Sequence, residues 1–222
     1  MLFTFWEGAM PAYIEICLRT WKLPFTMLNY ENLHNYTDLP INQLKQFTLA
    51  QQADCVRVHV LRDNGGYWLD ADTLMLDDKL PEYTVLGDDD TRINTIGFLH
   101  TEPQAEMFIQ WAKYQDQIIA NPPADGDWSL MGNAFTDEYL KEHREIKIGN
   151  IYEYWLETED NQDRYSKYLR FYFGQQNKFN KAEASEIIML HNSWTPKWYK
   201  ELSKNEVLVN NCTLSDILRE LI

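Results

Sequence analysis

Two aspartates separated by one alanine, Asp70 and Asp72, are the residues of this sequence best suited to chemistry. They follow the strand-forming run 67–69, and alternate side chains of an extended chain point to the same side. The spacing therefore predicts that both carboxylates face one place, with Ala71 turned away. Two like charges so close repel each other unless a cation lies between them or one carboxylate takes up a proton. We expect a hard divalent cation, Mn²⁺ or Mg²⁺, bound by the carboxylate oxygens.

A predicted helix and a glycine turn lead into the two aspartates. Apolar residues recur at helical spacing between residues 50 and 61, and the run 64–66, Asn-Gly-Gly, tolerates the positive φ that ends a helix. Asp54 and Arg57 lie one turn apart on this helix and are predicted to form an anchoring pair. The alternative for that pair is a surface ion pair, which contributes little to the stability of the fold. The alternative for the two aspartates is a solvated turn, but apolar sequence on both sides argues against it.

These residues resemble a known family. The stretch 53–76 is similar to the central block of sugar-nucleotide glycosyltransferases of glycosyltransferase family 32, their capsular polysaccharide synthesis relatives and, more distantly, the large clostridial glucosylating toxins. The shared pattern is a small residue and Asp, an Arg three positions later, a leucine, two glycines, an aromatic residue and D-x-D. Here it consists of Ala53-Asp54, Arg57, Leu61, Gly65-Gly66, Tyr67 and Asp70-Ala71-Asp72.

The resemblance implies a fold and an activity. The fold is α/β and GT-A-type, with a Rossmann-like, mostly parallel central sheet flanked by helices. The activity is metal-dependent transfer of a sugar, with retention of configuration, from a nucleotide-sugar donor to a glycan or lipid-linked acceptor in surface polysaccharide biosynthesis. The habits of the family favour a UDP-sugar.

The resemblance also implies roles for individual residues. Asp70 and Asp72 would hold the metal, which bridges the two phosphates of the donor and acts as a Lewis acid on the departing diphosphate. Asp54 and Arg57 would bind ribose or donor-sugar hydroxyls, and Ala71 would belong to the same donor site. The sequence names no catalytic base.

The N-terminal region reads as strand, helix and strand, at residues 1–6, 11–21 and 25–30. Such a βαβ unit indicates a parallel sheet. In the resembling family, a W-x-G after the first strand forms the nucleotide end of the site. Trp6 and Gly8 fit that arrangement, and Trp6 would stack on the base. The alternative for Trp6 is a core aromatic residue.

Near the C-terminus, His191 directly follows a predicted apolar strand at 187–190. A histidine in such a place is commonly structural, but related transferases carry an H-x-x-S-W element that supplies a metal ligand. Here the element is shortened to His191-Asn192-Ser193-Trp194, so the resemblance makes His191 the metal ligand, with Glu186 as the alternative. Ser193 and Trp194 N–H groups would donate to the diphosphate.

The remaining elements predicted are strands at 84–86 and 93–99, helices at 103–119 and 135–142, and a polar region with short helical pieces at 32–46. The loop 121–127 is the expected acceptor-side lid. Asp89 and Asp127 are acceptor-side carboxylates in this hypothesis and solvated loop residues in its alternative. Residues 145–185 show no clear period. We expect one domain over 1–222, with 1–100 binding nucleotide sugar and metal and 101–222 forming the acceptor part and the C-terminal metal and diphosphate element.

The net charge and the cysteine content limit the possible partners and the cellular compartment. The formal net charge of −14 argues against a nucleic-acid partner and means that an anionic substrate needs local positive charge. The three cysteines lack any C-x-x-C and indicate reduced thiols of a cytoplasmic protein. No apolar run reaches membrane-spanning length, and this leaves peripheral attachment at the inner face of a membrane open.

Two other functions fit part of the sequence. A haloacid-dehalogenase-type phosphatase also has an apolar strand ending in D-x-D-T, and Gly87-Asp88-Asp89 is similar to its late acidic motif. The interval 72–88 has no room for the helical crossover that the next parallel strand would need. The third reading is a non-catalytic, metal-dependent carbohydrate-binding protein. Hydrolysis of nucleotide sugars by the purified protein separates the three.

Overall fold

The computed structural model describes residues 1–124, 126–151, 163–174 and 186–222. Along the chain, the described strands and α-helices are β1 (Leu2–Phe5), α1 (Ala12–Arg19), β2 (Thr26–Leu28), α2 (Ile41–Leu44), α3 (Leu49–Asn64), β3 (Gly66–Leu69), β4 (Thr73–Met75), β5 (Val85–Gly87), β6 (Asn94–Thr101), α4 (Glu106–Ala120), α5 (Asn133–Glu142), β7 (Ile148–Asn150), α6 (Arg164–Phe173), β8 (Ile187–Met189), α7 (Lys197–Lys200), α8 (Lys204–Val209) and α9 (Thr213–Leu221).

The chain forms two compact units whose segments alternate along the sequence. The first unit comprises Met1–Gly8, Pro24–Asp70 and Pro81–Ile151; the second comprises Ala9–Leu23, Ala71–Leu80 and Tyr152–Ile222. The assignment of residues 1–100 to nucleotide-sugar and metal binding and of 101–222 to the acceptor part and the C-terminal metal and diphosphate element stays a prediction.

The first unit contains a six-stranded sheet in the order β2-β1-β3-β6-β5-β7. β1 is parallel to both of its neighbours, β2 and β3, and β7 is parallel to β5. β6 runs antiparallel to β3 and β5. The protein is therefore mixed α/β with a mostly parallel central sheet, as the sequence predicts, and the parallel pairing of β1 with β2 is confirmed.

Helix α3 leads directly into the central strand β3. A capping box between Thr48 and Gln51 begins the helix, and Gly65 and Gly66 end it with φ of 64° and 91°. A Cβ on Gly66 would lie 2.3 Å from the carbonyl oxygen of Met1, so the close approach of β1 requires glycine there. Helix α3 packs on β1, β3 and β6, and α4 packs on α3. This packing fixes α3 against the strand that carries Asp70.

The second unit contains the antiparallel pair β4 and β8, with Thr73 opposite Met189. The predicted apolar strand at 187–190 is thus confirmed, and it pairs with the apolar run that follows Asp72. Helix α1 packs on β4, and Trp21 Nε1 donates to the carbonyl oxygen of Thr73 at 2.7 Å. Thr20 Oγ1 accepts a hydrogen bond from the Met75 backbone N–H at 3.0 Å. These bonds anchor the chain that leaves Asp72.

One local expectation is wrong. The extended conformation predicted through 70–72 is interrupted, because β3 ends at Leu69 and Ala71 and Asp72 form a turn before β4. This turn separates β3 from β4, which belongs to a different sheet. The argument from alternating side chains therefore does not apply to the two aspartates.

Other structural predictions can be checked directly. Cys17, Cys55 and Cys212 are free, as predicted, and the structure shows that all three are buried. Among the described residues, no helix is long and apolar enough to cross a membrane. Between Asp72 and Asp88 the chain forms β4 and the short β5 with no helix, so the crossover that the phosphatase reading needs is missing there.

Candidate functional site

The centre of the site in the first unit is a buried network of Asp54, Arg57 and Asp70. Arg57 Nη2 lies 3.1 Å from Asp54 Oδ1 and 3.0 Å from Asp70 Oδ1. Arg57 Nη1 donates to the carbonyl oxygen of Ile96 at 2.5 Å. Asp54 is 8% exposed and Arg57 4% exposed. The alternative of a surface ion pair is therefore wrong, and Arg57 fixes Asp70 at the end of β3.

Trp68 holds the same carboxylate. Its Nε1 donates to Asp70 Oδ1 at 2.9 Å, and the Arg57 guanidinium lies 5.5 Å from the centre of the indole ring. Both bonds to Asp70 use Oδ1, and no described residue donates a hydrogen bond to Oδ2. The Asp70 side chain is 34% exposed. One oxygen is thus held by the protein, and the other has no hydrogen-bond donor among the described residues.

The charges of this network explain its arrangement. Burial raises the pKa of Asp54 to about 6; the charge of Asp70 adds to the rise and Arg57 opposes it. The guanidinium therefore stabilises a carboxylate that burial would otherwise push towards protonation. Arg57 also donates from Nε to the carbonyl oxygen of Ala53 at 3.4 Å, so all three of its nitrogens contact protein oxygens. These contacts make Arg57 a positioning residue for Asp70.

Two buried polar groups lie at the carboxyl ends of β1 and β2. Trp6 Nε1 and the hydroxyl of Tyr30 are buried, and neither has a hydrogen-bond partner among the described residues. The Tyr30 ring lies 5.7 Å from the ring of Phe5, and the Tyr30 backbone N–H donates to Glu7 Oε2 at 3.0 Å. Gly8 follows with φ of 84°. Buried donors without acceptors cost free energy, so these two groups suit the oxygen atoms of a ligand.

In the second unit, Asp72 is held by the segment that follows β8. Asp72 is 9% exposed, and its Oδ2 accepts a hydrogen bond from the Asn192 backbone N–H at 2.6 Å. The Tyr13 hydroxyl donates to Asn192 Oδ1 at 2.5 Å. The alternative ligand Glu186 is exposed, and its backbone carbonyl accepts from Leu76 N–H at 2.8 Å. The predicted D-x-D and H-N-S-W elements therefore meet through Asp72 and Asn192.

His191 lies in an aromatic environment. The centre of its ring lies 4.3 Å from that of Trp194 and 5.4 Å from that of Tyr168. The Tyr168 hydroxyl also accepts a hydrogen bond from the His191 backbone N–H at 3.0 Å. Burial lowers the pKa of His191 to about 4, and the nearby charge of Arg164 adds to the effect. The imidazole is neutral at pH 7, the form that can bind a metal. The Trp194 backbone N–H donates to the His191 carbonyl at 2.9 Å, so this N–H is already engaged, while Ser193 is exposed.

The two acceptor-side carboxylates make structural contacts. Asp89 Oδ1 lies 2.5 Å from Arg92 Nη1 and accepts from the Ile148 backbone N–H at 3.1 Å. Asp127 Oδ1 accepts from the Ser129 backbone N–H at 3.1 Å, which closes a turn. These contacts give Asp89 a structural role, which differs from both the acceptor-side hypothesis and the solvated-loop alternative. Asp127 shapes an exposed loop.

The predicted metal ligands are Asp70, Asp72 and His191. Across residues 1–124, 126–151, 163–174 and 186–222, no group of three or more His, Cys, Asp or Glu side chains could hold a metal ion. The donor chemistry of Asp70 suits Mn²⁺ or Mg²⁺, because its open oxygen is a hard ligand. The metal and its full ligand set stay a prediction.

A family model described as capsular polysaccharide synthesis protein matches residues 3–203. The chain belongs to this family. No curated protein and no solved structure matches it. Membership of the capsular polysaccharide synthesis family confirms that part of the predicted resemblance and indicates a role in polysaccharide biosynthesis. Assignment to glycosyltransferase family 32 stays a prediction.

The sequence predictions missed several residues around the site. Trp68 lies two positions before Asp70, and the period of two in a strand is the signal that would have found it. Tyr30 closes the second predicted strand, but nothing in its neighbourhood marks it as polar and unpartnered. Tyr13 and Tyr168 depend on long-range contacts with Asn192 and His191, for which the sequence gives no signal.

Proposed function

We propose that the protein is a metal-dependent glycosyltransferase of capsule biosynthesis, which moves a sugar from a nucleotide-sugar donor to a glycan or lipid-linked acceptor. A UDP-sugar is the favoured donor, and transfer retains configuration on a GT-A-type fold. The observation that carries the proposal is Asp70, whose carboxylate is fixed through one oxygen by Arg57 and Trp68 and open at the other. Family membership supports a substrate in polysaccharide synthesis.

The sheet supports a nucleotide site next to Asp70. Trp6, Tyr30 and Asp70 follow the carboxyl ends of three adjacent parallel strands, β1, β2 and β3. Carboxyl ends of parallel strands lie at one edge of a sheet, where open α/β sheets bind their ligands. Trp6 Nε1 and the Tyr30 hydroxyl would donate to oxygens of the base or ribose. The alternative of a purely core role for Trp6 leaves its buried N–H unexplained.

A carboxylate beside a diphosphate requires a cation. Asp70 would hold Mn²⁺ or Mg²⁺ together with phosphate oxygens of the donor, and the cation would act as a Lewis acid on the departing diphosphate. Asp72 and His191 stay predicted ligands. Within the chain itself, Arg57 orients Asp70, and Asp54 balances the charge of Arg57. Asn192 N–H fixes Asp72 in the same way.

A thermal-shift panel of UDP- and GDP-sugars with and without Mn²⁺ tests this function. A ligand present at a hundred times its Kd stabilises the native state by about 2.7 kcal/mol. For a chain of this size that corresponds to a rise in Tm of about 5–11 °C. We expect such a rise with at least one nucleotide sugar, only when Mn²⁺ is present.

The matched variants are Asp70→Asn, which should lose the Mn²⁺-dependent part of the shift, and Asp90→Asn, which removes a carboxylate from an exposed turn and should keep it. Equal shifts in both variants would contradict the role of Asp70. Release of nucleoside diphosphate separates a transferase from a metal-dependent carbohydrate-binding protein, which would release none.

A further inference from the structure

Trp128 is one of the most exposed large apolar side chains of the described residues, with 74% of its surface accessible. It lies in the loop between α4 and α5, on a backbone that is held firmly. Asp127 accepts from Ser129 N–H through its carboxylate and from Leu130 N–H through its carbonyl, both at 3.1 Å. Gln51 Nε2 donates to the same carbonyl at 3.0 Å. A fixed turn that exposes an indole ring suits recognition of a ligand, because the backbone loses little conformational entropy on binding.

The loop is anchored next to the Asp54–Arg57–Asp70 network. Gln115 Nε2 donates both to the Asp54 carbonyl, at 3.1 Å, and to the Met131 carbonyl, at 2.6 Å. A Cβ on Gly132 would lie 3.0 Å from Asp54 Oδ2, so the loop backbone runs directly over this carboxylate. All of these residues belong to the first unit. Trp128 is therefore carried by a loop that is built onto the proposed donor site.

Residues of the loop that carries Trp128 line a pocket. It measures about 210 Å³ and is lined by residues of the α3 N-terminus and the loop, including Thr48, Gln51, Gly126 and Leu130. Gly126 and Leu130 flank Trp128 at two residues on either side. The lining combines an amide and a hydroxyl with apolar surface, which suits a sugar ring and its hydroxyl groups.

We propose that Trp128 and this pocket bind the acceptor glycan, with the indole stacked on the apolar face of a pyranose ring. The inference rests on the proposed transferase function, because it names the acceptor as a saccharide and places its recognition beside the donor site. Membership of a polysaccharide synthesis family supplies an oligosaccharide as the occupant. The role of Asp127 is then to shape the turn that presents Trp128.

A glycan array of hexose- and N-acetylhexosamine-terminated oligosaccharides tests the proposal. The wild-type protein should bind a subset of these glycans. Trp128→Ala should weaken that binding by at least about tenfold, as truncation of a tryptophan at the centre of a binding surface does. Trp128→Phe, which keeps an aromatic face, should retain most of it. The control Trp198→Ala removes another tryptophan, 47% exposed in the second unit, and should leave binding unchanged.

Full glycan binding by Trp128→Ala, or no glycan binding by the wild type, would overturn the proposal. So would self-association of the wild type that Trp128→Ala abolishes without any effect on glycans, because the ring would then serve a contact between copies. The failure of the proposed function is distinguishable, since it is measured on the wild type with nucleotide sugars and Mn²⁺. Melting temperatures of all variants exclude unfolding as the cause of any loss.

Discussion

Replacing Arg57 by methionine is the sharpest structural perturbation of the site. Methionine keeps much of the aliphatic stem and removes the guanidinium that contacts Asp54, Asp70 and the carbonyl oxygen of Ile96. Removing one partner of a buried ion pair typically costs about 3–5 kcal/mol, because the other charge stays buried without compensation. The Asp54 side chain is only 12% exposed, so this rule applies to it.

The expected loss lies at the lower end of that range. Burial already raises the pKa of Asp54 to about 6 while Arg57 opposes the rise. Without Arg57 the pKa rises further, so Asp54 takes up a proton at neutral pH and escapes part of the penalty. We therefore expect Arg57→Met to lower the free energy of unfolding by about 3 kcal/mol and the Tm by about 6–12 °C.

Urea denaturation at pH 7.5 measures this loss, and a double-mutant cycle with Asp54→Asn assigns it to the pair. The double variant should lose less than the sum of the two single variants. The control is Arg62→Met on the same helix, where Arg62 pairs with the neighbouring Asp63 nearer the surface; its loss should be about 1 kcal/mol or less. A loss below about 1 kcal/mol for Arg57→Met, or strict additivity in the cycle, would refute the reasoning.

Three further predictions follow from other contacts. Asp72→Asn keeps the acceptor for Asn192 N–H but removes the charge, so the Tm should change little while metal-dependent transfer is lost; transfer at the wild-type rate would exclude Asp72 from the metal site. His191→Ala should raise the Mn²⁺ concentration that half-saturates activity more than it raises that of Mg²⁺, because imidazole suits Mn²⁺ better; equal effects on both metals would contradict its role as ligand. Burial lowers the pKa of His59 to about 4 from its ordinary 6.5. The charge of Arg62 adds to this effect, and the charges of Asp63 and Asp38 oppose it. An oxygen of Asp116 lies 3.6 Å from His59 Nε2. Protonation therefore favours the unfolded chain: the full stability is present above about pH 6.5, and roughly 3 kcal/mol is lost as the pH falls towards 4. His59→Leu should flatten this loss in urea denaturation at pH 7.5 and 4.5, and an unchanged slope would show that other groups cause it.

The local elements were predictable because their signals are local. Helix α3 has an apolar face, a Thr-x-x-Gln start and a glycine end, and all three lie in one short stretch of sequence. The same holds for β1, α1 and β2, whose order predicts a parallel pair. Residues 145–185 gave no clear period, and β7 and α6 went unpredicted there. Part of the range 145–185 lies outside the described residues.

The site was predictable only where its residues are close in sequence. Asp54 and Arg57 share a helical face, and their pairing follows from a spacing of three. The bond from Asn192 to Asp72 spans 120 positions, and no local pattern encodes it. The turn at Ala71 was missed because a strand pattern gives no sign that the next strand belongs to another sheet.

Release of nucleoside diphosphate from nucleotide sugars tests the central claim most directly. Wild-type protein and Asp70→Asn are incubated with UDP- and GDP-sugars, with Mn²⁺ and with chelator, in the presence and absence of oligosaccharide. We predict Mn²⁺-dependent release from at least one nucleotide sugar by the wild type, faster with a suitable oligosaccharide and abolished in Asp70→Asn. No release from any donor by the wild type, or equal release by Asp70→Asn, would contradict the account.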